Sequence, residues 1–254
     1  MLLSNPEGPI VTLTIDRPQV RNTLTPALIH QLTQAIRQWS ADDAIRLIVL
    51  TGRGDRAFVG GVDVHSFIGM TPEGGENFIT ALHHCFRALR HSEKIVIASI
   101  NGFTLGAGLE LAASCDLRIA SDQAFFGMPE VKVGLPSVIE AAYLPRLVGL
   151  GRAAEIVYTG EMIDAREAQR IGLVNRVVPH ERLREATLEM AQTILANAPG
   201  AIRLQKRVVR LWTETSFDDS IQGAIKLFRQ SFESPEPHEG AKAFLEKRKP
   251  SYGS

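Results

Sequence analysis

The sequence has few features of secreted, metal-stabilised or membrane-spanning proteins. Only two cysteines, Cys85 and Cys115, occur among its 254 residues, and they form neither a C-x-x-C motif nor a spacing suited to metal ligation. We therefore expect both to be buried and reduced in a cytosol-like compartment. No apolar run approaches the roughly 20 residues that a membrane-spanning helix requires.

An excess of charge of either sign is also absent. Lys and Arg together number 28, Asp and Glu also number 28, and the formal net charge is zero. General nucleic-acid binders normally carry a basic excess, so this balance argues against that class. The N-terminus has neither the basic region nor the apolar region of a secretory signal, and we expect a cytoplasmic protein.

Strand and helix patterns alternate over roughly the first 178 residues. The strand patterns occur at residues 10–15, 45–51, 95–100, 117–120 and 124–126, and the helical patterns at 26–39, 76–90 and 107–115. Such alternation favours an α/β fold with a parallel sheet.

The pattern changes after Pro179, where helical periodicity dominates. Helices are predicted at residues 180–197, 199–213, 216–231 and 236–248. The segment Ala196-Asn197-Ala198-Pro199-Gly200 suits a domain edge. We therefore predict a core over residues 1–197 and a C-terminal helical region over residues 198–254.

Small residues cluster at two turns that follow predicted strands. Strand 95–100 leads to Gly106-Ala107-Gly108, and strand 45–51 leads to Gly60-Gly61. Small side chains let a ligand approach the backbone, and the first N–H groups of a helix have no intrahelical partner. Two backbone N–H donors at these turns are thus candidates for an oxyanion hole.

Two glutamates are candidate acid–base groups. Glu110 lies among Leu109, Leu111 and Ala112 in a predicted buried helix, where a carboxylate is costly unless it is paired or functional. Glu130 lies in a loop, and by itself it is more typical of a solvent-facing carboxylate. The local pattern therefore indicates a functional role for Glu110 only.

Several segments together resemble the crotonase superfamily, also called the enoyl-CoA hydratase/isomerase family, over nearly the whole chain. Each segment is weak alone, but their order and spacing are specific. They are Asp16-Arg17-Pro18 with Asn22, Ala57-Phe58-Val59-Gly60-Gly61-Val62-Asp63, Asn101-Gly102 through Glu110, Phe126-Gly127-Met128-Pro129-Glu130, Gly134-Leu135-Pro136, Thr159-Gly160 with Ala165, Ala168 and Gly172-Leu173-Val174, and Ala243-Phe244-Leu245-Glu246-Lys247-Arg248.

This resemblance implies a spiral of ββα repeats, as in the ClpP/crotonase fold, with a C-terminal helical region used in trimer assembly. It implies a 2-enoyl-CoA hydratase whose oxyanion hole is formed by the N–H groups of Gly60 and Ala107. Glu110 would mainly position and activate water, and Glu130 would mainly donate a proton to C2, although closely coupled carboxyls titrate as a pair.

The resemblance also implies further substrate contacts. The residues expected to bind substrate or coenzyme A are Arg21, Asn22, Val59, Gly61, Val62, Asp63, Gly106, Leu135, Phe244 and Lys247, of which Phe244 and Lys247 reach a neighbouring subunit's coenzyme A in relatives. The implied assembly is a homotrimer or a dimer of trimers. The implied substrate is an acyl-CoA thioester, and neither a metal nor a redox cofactor is expected.

One segment departs from the family pattern. Common hydratases follow the second glutamate with a glycine-rich loop, whereas this chain has Ser137-Val138-Ile139-Glu140-Ala141-Ala142-Tyr143. Glu140 lies near the position where isomerase, hydrolase and dehalogenase relatives place an aspartate. It is interpreted either as a structural carboxylate on a helix face or as an auxiliary group that holds water or moves a proton.

Other functions stay open at this stage. Another crotonase reaction, such as double-bond isomerisation or thioester hydrolysis, would use the same scaffold. A non-catalytic RNA-binding role is a further alternative, since Arg203, Lys206, Arg207 and Arg210 share one helical face, which is usually a solvated face. His83 and His84 are expected to be a surface pair on a helix.

Overall fold

The computed structural model describes residues 1–252, and the chain divides into two compact units, Met1–Glu189 and a second that begins at Met190. The predicted boundary after residue 197 lies inside the second unit. The strands are β1 (Leu2–Glu7), β2 (Ile10–Ile15), β3 (Leu47–Gly52), β4 (Ala57–Val59), β5 (Ile95–Ile100), β6 (Phe103–Leu105), β7 (Leu117–Ser121), β8 (Phe125–Gly127), β9 (Ile163–Asp164) and β10 (Arg176–Val178).

The helices alternate with these strands in the first unit and follow one another in the second. They are α1 (Pro26–Ala41), α2 (Pro72–Arg90), α3 (Ala107–Ala113), α4 (Leu144–Val148), α5 (Leu150–Thr159), α6 (Ala165–Arg170), α7 (Leu183–Leu195), α8 (Pro199–Glu214), α9 (Phe217–Ser231) and α10 (Glu236–Leu245). Short 3₁₀ helices occur between several of them, including Pro129–Val133 and Glu140–Tyr143.

The strands form two sheets. The larger sheet has the order β1-β2-β3-β5-β7-β10, and the smaller has the order β4-β6-β8-β9. All neighbours are parallel except the pairs β1–β2 and β8–β9. From β3 to β8 successive strands alternate between the sheets, so β3-β4-α2 and β5-β6-α3 are two ββα repeats. The predicted parallel sheet is therefore present, with an antiparallel strand at one edge.

The core of the first unit lies between the larger sheet and helices α1 and α2. Strands β3 and β5 are buried almost throughout, which explains their continuous apolar sequence. Helix α2 places Leu82, Cys85, Phe86 and Leu89 in this core at helical spacing. Both Cys85 and Cys115 are buried and free, as predicted.

Local signals explain where the first two helices begin. The side chains of Thr25 and Thr71 cap α1 and α2 by accepting N–H hydrogen bonds from Leu28 and Gly74, and a proline occupies the first helical position of each. The predicted helix 26–39 is confirmed with two more residues at its end.

Helices α8 to α10 belong to the second unit. Glu236 of α10 accepts hydrogen bonds from the N–H groups of Gly200 and Ala201 and thereby caps α8. Lys206 is only 5% exposed, so the basic face predicted on this helix is not solvated at that position. Within residues 1–252, no helix is both long enough and apolar enough to cross a bilayer.

Candidate active site

A cavity of about 330 Å³ opens beside the N-terminus of α3 and is lined mainly by apolar side chains. Two carboxyl groups, those of Glu110 and Glu130, reach into it from α3 and from the 3₁₀ helix Pro129–Val133. A second cavity of about 180 Å³ adjoins it and shares Val62, Phe67, Ala107, Glu130 and Leu135. The two predicted catalytic carboxyls therefore face one common space.

Glu110 is the more deeply buried of the two acids, with 4% of its surface exposed. The pKa of Glu110 is raised to about 8, mainly by burial and to a smaller extent by the nearby Glu130 and Glu140 charges, while a hydrogen bond from the Ala141 N–H opposes the shift. That hydrogen bond joins Ala141 N to Glu110 Oε1 at 2.8 Å. A carboxyl with this pKa mostly keeps its proton at neutral pH.

Glu130 is held by Ser137, whose hydroxyl donates to Glu130 Oε2 at 2.9 Å. Burial raises the pKa of Glu130 as well, and the Ser137 hydroxyl counteracts part of this rise by stabilising the charged form. The backbone at Gly106 lies against the same carboxyl, since a Cβ placed there would be 2.6 Å from Glu130 Oε1. Each acid is therefore fixed by a separate neighbour.

The prediction that the Gly60 N–H is an oxyanion-hole donor is wrong. Its N–H donates to the carbonyl oxygen of Arg21 at 2.9 Å, so this donor is already used within the protein. The following residues pair with Leu24: the Leu24 N–H donates to the Gly61 carbonyl, and the Asp63 N–H donates to the Leu24 carbonyl. Leu24 thus forms backbone hydrogen bonds with Gly61 and Asp63, the residues on either side of Val62.

Because successive N–H groups of an extended chain point to opposite sides, the Val62 N–H points away from Leu24. Val62 lines both cavities, and its N–H has no hydrogen-bond partner among the described residues. The Ala107 N–H, at the start of α3, likewise has none within residues 1–252. Val62 replaces Gly60 as the partner of Ala107 in a pair of available backbone donors.

Comparisons with known proteins identify the family of this chain. The family model described as enoyl-CoA hydratase/isomerase matches residues 6–254. This chain belongs to the enoyl-CoA hydratase/isomerase family. It is 37% identical to a short-chain-enoyl-CoA hydratase of Clostridium acetobutylicum, over 96% of this chain and 94% of that one. It is 38% identical to a crotonyl-CoA hydratase of Syntrophomonas wolfei, over 97% and 95% of the two chains.

Solved structures of the same family share the fold. A crystal structure of an enoyl-CoA hydratase from Bacillus anthracis superposes with a TM-score of 0.94 at 32% identity and covers 99% of this chain and 98% of that one. A structure from Mycobacterium smegmatis, also described as an enoyl-CoA hydratase, gives a TM-score of 0.95 at 32% identity and covers 100% and 99%. The predicted crotonase fold is confirmed.

Three residues predicted from the family resemblance to bind substrate are buried or have contacts within the protein, and their role in binding stays a prediction. Asn22 is fully buried, and its amide nitrogen donates to the carbonyl oxygens of Arg53 and Ala57, so it braces the chain before β4. Val59 is also fully buried. The Asp63 carboxylate contacts Arg17 and His65 and caps a short 3₁₀ helix.

Several of the other predicted substrate contacts line the two cavities. Gly61 and Gly106 line the smaller cavity, and Leu135 lines both. Arg21 is exposed, and its guanidinium lies 5.7 Å from the centre of the Phe103 ring. Phe244 and Lys247 belong to the second unit, where Phe244 is 83% exposed. Their predicted contact with a neighbouring subunit stays a prediction.

The burial and contacts of Glu140 and His83 differ from the simplest predictions made from the sequence. Glu140 is buried with 2% of its side chain exposed, and its Oε1 accepts hydrogen bonds from His83 Nδ1 and from Arg90. His83 is therefore not part of a simple surface pair, although His84 is exposed. Glu140 does not line either cavity.

Sequence reasoning missed the cavity wall contributed by α2 and the loop before it. Phe67 and Met70 from the loop, and Phe78, Ile79 and Leu82 from α2, line the larger cavity. The helical periodicity of α2 indicates a buried face, but it does not distinguish core packing from a ligand pocket.

Proposed function

We propose that this protein is a 2-enoyl-CoA hydratase, which adds water across the conjugated double bond of an acyl-CoA thioester. The observation that carries the proposal is the convergence of two carboxyls, one buried and one partly buried, and two available N–H groups on one apolar cavity. An apolar cavity of about 330 Å³ suits an acyl chain of short or medium length.

The Val62 and Ala107 N–H groups are proposed to bind the thioester oxygen. Water addition at C3 moves negative charge onto this oxygen and creates an enolate. Preorganised backbone donors in a site that excludes water stabilise such charge as it develops, and loss of one such donor typically costs about a hundredfold or more in rate. The acyl chain would then lie between α2 and Leu135.

The carboxyl pair is proposed to handle the two protons of the reaction. With its pKa near 8, Glu110 holds a proton in the free site. A water between the acids passes this proton to Glu130 and leaves Glu110 as the base. Glu110 then takes a proton from the water as its oxygen bonds to C3, and Glu130 gives a proton to C2. The starting protonation state is thereby restored.

No metal or redox cofactor takes part in the proposed reaction. Hydration involves no net oxidation or reduction of the substrate, and the backbone N–H donors stabilise the negative charge of the enolate. Dialysis against a strong chelator should therefore leave turnover unchanged. Loss of activity that returns with one added metal ion would contradict this part of the proposal.

We also propose that the protein acts as a homotrimer or a dimer of trimers. Helices α8 to α10 expose several large apolar side chains, including Trp212, Phe217 and Phe228, and enclose an apolar groove of about 680 Å³. Exposed apolar side chains beside an apolar groove are typical of protein interfaces. Light scattering coupled to size-exclusion chromatography tests the stoichiometry, and a monomer at micromolar concentration would contradict it.

The hydratase proposal is tested with crotonyl-CoA. The absorbance of the conjugated thioester should fall when enzyme is added, and Glu110→Gln and Glu130→Gln should each reduce kcat by at least about a hundredfold. Glu155→Gln is the matched control, because Glu155 is an exposed carboxylate that pairs with Arg152 and lines neither cavity.

Mass spectrometry of the products separates hydration from other reactions of the family. A 3-hydroxyacyl-CoA product supports the proposal. Free thiol released from the thioester would indicate hydrolysis, and activity restricted to a 3-enoyl-CoA would indicate isomerisation. Full activity in either glutamine variant of the carboxyl pair would contradict the mechanism.

A further inference from the structure

Glu140 is a buried carboxylate outside the two cavities. It begins the 3₁₀ helix Glu140–Tyr143, and 2% of its side chain is exposed. Its Oε1 accepts hydrogen bonds from His83 Nδ1 at 2.8 Å and from the Arg90 guanidinium at 2.5 Å. The same guanidinium stacks on the ring of Tyr143 at 4.9 Å, so α2 holds this short helix at both ends.

Stability alone gives a weak reason for this arrangement. Removal of charged groups from water costs free energy, and buried ion pairs can often be replaced by apolar residues without loss of stability. Glu140 Oε2 is also buried and accepts no hydrogen bond among the described residues, which adds to the cost.

The position of Glu140 in the chain links it to both acids of the site. The next residue, Ala141, donates its N–H to Glu110 Oε1 at 2.8 Å, and Ser137, three residues earlier, donates its hydroxyl to Glu130 at 2.9 Å. The segment from Ser137 to Ala141 therefore supplies a hydrogen bond to each carboxyl. Its anchor is α2, which also forms the apolar wall of the larger cavity.

We propose that Glu140 is a positioning residue for Glu110: its buried contacts with Arg90 and His83 fix the segment whose Ala141 N–H orients the Glu110 carboxyl. This inference rests on the proposed hydratase function and adds a residue that acts through Glu110. Glu140 itself does not contact the substrate.

The charges around Glu110 give the inference a specific pH signature. Glu130, on the 3₁₀ helix Pro129–Val133, lines the same cavity as Glu110. The charged or titratable groups near Glu140 are Arg90, His83 and the buried thiol of Cys85, all on α2. The Glu140 charge raises the pKa of Glu110. Neutralising Glu140 should therefore lower that pKa and move the alkaline limb of the rate profile to lower pH.

The test compares Glu140→Gln and Glu140→Asp in crotonyl-CoA hydration across pH 5–10. Glutamine keeps an acceptor for Arg90 and His83 but removes the charge, whereas aspartate keeps the charge and shortens the reach. For Glu140→Gln we expect a loss of about tenfold or more in kcat with little change in KM, and an alkaline limb at lower pH. For Glu140→Asp we expect a similar loss with the limb near its wild-type position.

Glu167→Gln is the matched control, because Glu167 accepts hydrogen bonds from Arg152 and Arg170 but lines neither cavity. It should keep the wild-type kcat and pH profile. A folded Glu140→Gln enzyme with wild-type kcat and an unmoved alkaline limb would overturn the inference. A loss of kcat that merely follows reduced thermal stability, with no shift of the limb, would also overturn it.

If Glu140→Gln fails to fold, His83→Ala decides the question, because His83 is 39% exposed and removal of its imidazole leaves the Arg90 contact in place. A several-fold lower kcat at unchanged thermal stability supports the inference, and unchanged kcat contradicts it. A wild-type protein without hydratase activity on any acyl-CoA would overturn the proposed function, and the role of Glu140 with it.

Discussion

Gly106 and Glu130 are in direct apposition: a Cβ built on Gly106 would lie 2.6 Å from Glu130 Oε1. Gly106 has a φ of 53°, a backbone conformation that residues with a side chain rarely adopt. The close approach lets the turn before α3 present the Ala107 N–H and support the Glu130 carboxyl at the same point. One glycine thus serves two parts of the site.

Gly106→Ala should therefore displace Glu130 and lower kcat by about a hundredfold, since small errors in catalytic geometry carry costs of this size. Gly8→Ala is the matched control, because Gly8 also has a positive φ but has no atom within 4 Å of its added Cβ. Steady-state kinetics on both variants test this, and comparable activity in the two would refute the steric argument.

Ser137→Ala should remove a hydrogen bond that positions the Glu130 carboxyl. Because the Ser137 hydroxyl lowers the pKa of Glu130, its loss should raise that pKa and move the acid limb of the rate profile to higher pH. We expect kcat to fall by roughly tenfold, the size of one hydrogen bond to a carboxylate. Ser231→Ala, which removes a hydroxyl that donates to the Phe228 carbonyl in the second unit, should change neither quantity.

The pH dependence of stability should report the burial of Glu110. A carboxyl whose pKa is about 8 in the folded protein and about 4.5 in the unfolded chain favours folding at low pH, and this contribution is lost as pH rises through 8. Glu110→Gln should therefore become more stable than the wild type as pH increases from 5 to 9, by at most roughly 5 kcal/mol.

Thermal unfolding at pH 5, 7 and 9 measures this difference. The exposed-site variant Glu155→Gln should show no such trend. A constant difference between Glu110→Gln and the wild type at all three values would mean that Glu110 ionises in the folded protein as readily as in water.

The rate profile itself should be bell-shaped. For kcat/KM with crotonyl-CoA, the alkaline limb should lie near pH 8, where the Glu110 proton is lost from the free enzyme. The acid limb should lie above pH 4.5, because burial raises the pKa of Glu130. A rate that stays constant up to pH 10 would contradict a mechanism that needs a proton on the carboxyl pair.

Local patterns were sufficient for most long elements. Strands 10–15 and 95–100 were predicted to the residue, since their apolar β-branched runs are bounded by turn residues. The three-residue strands β4 and β6 were too short to produce a period, and their pairing depends on a sheet built from distant segments. The second sheet therefore came from the family resemblance alone.

The residues of the site also divide into those that the sequence predicted and those that only the structure identified. The sequence by itself determined that Glu110 is an acid in a buried helix and, through the family resemblance, that Glu130 is its partner. Only the tertiary structure decided which N–H groups are available, because the direction of an N–H in the irregular stretch 60–63 depends on pairing with Arg21 and Leu24.

Glu140 shows most clearly what could not be predicted from the sequence alone. In sequence it reads as a carboxylate on a short helix, and its burial depends on Arg90 and His83, which lie about 50 residues earlier in the chain. The energy of a carboxylate depends on its solvent exposure and its charged neighbours, and both are set by packing rather than by adjacent residues. The sequence determined the chemical groups, and the fold determined their protonation and their partners.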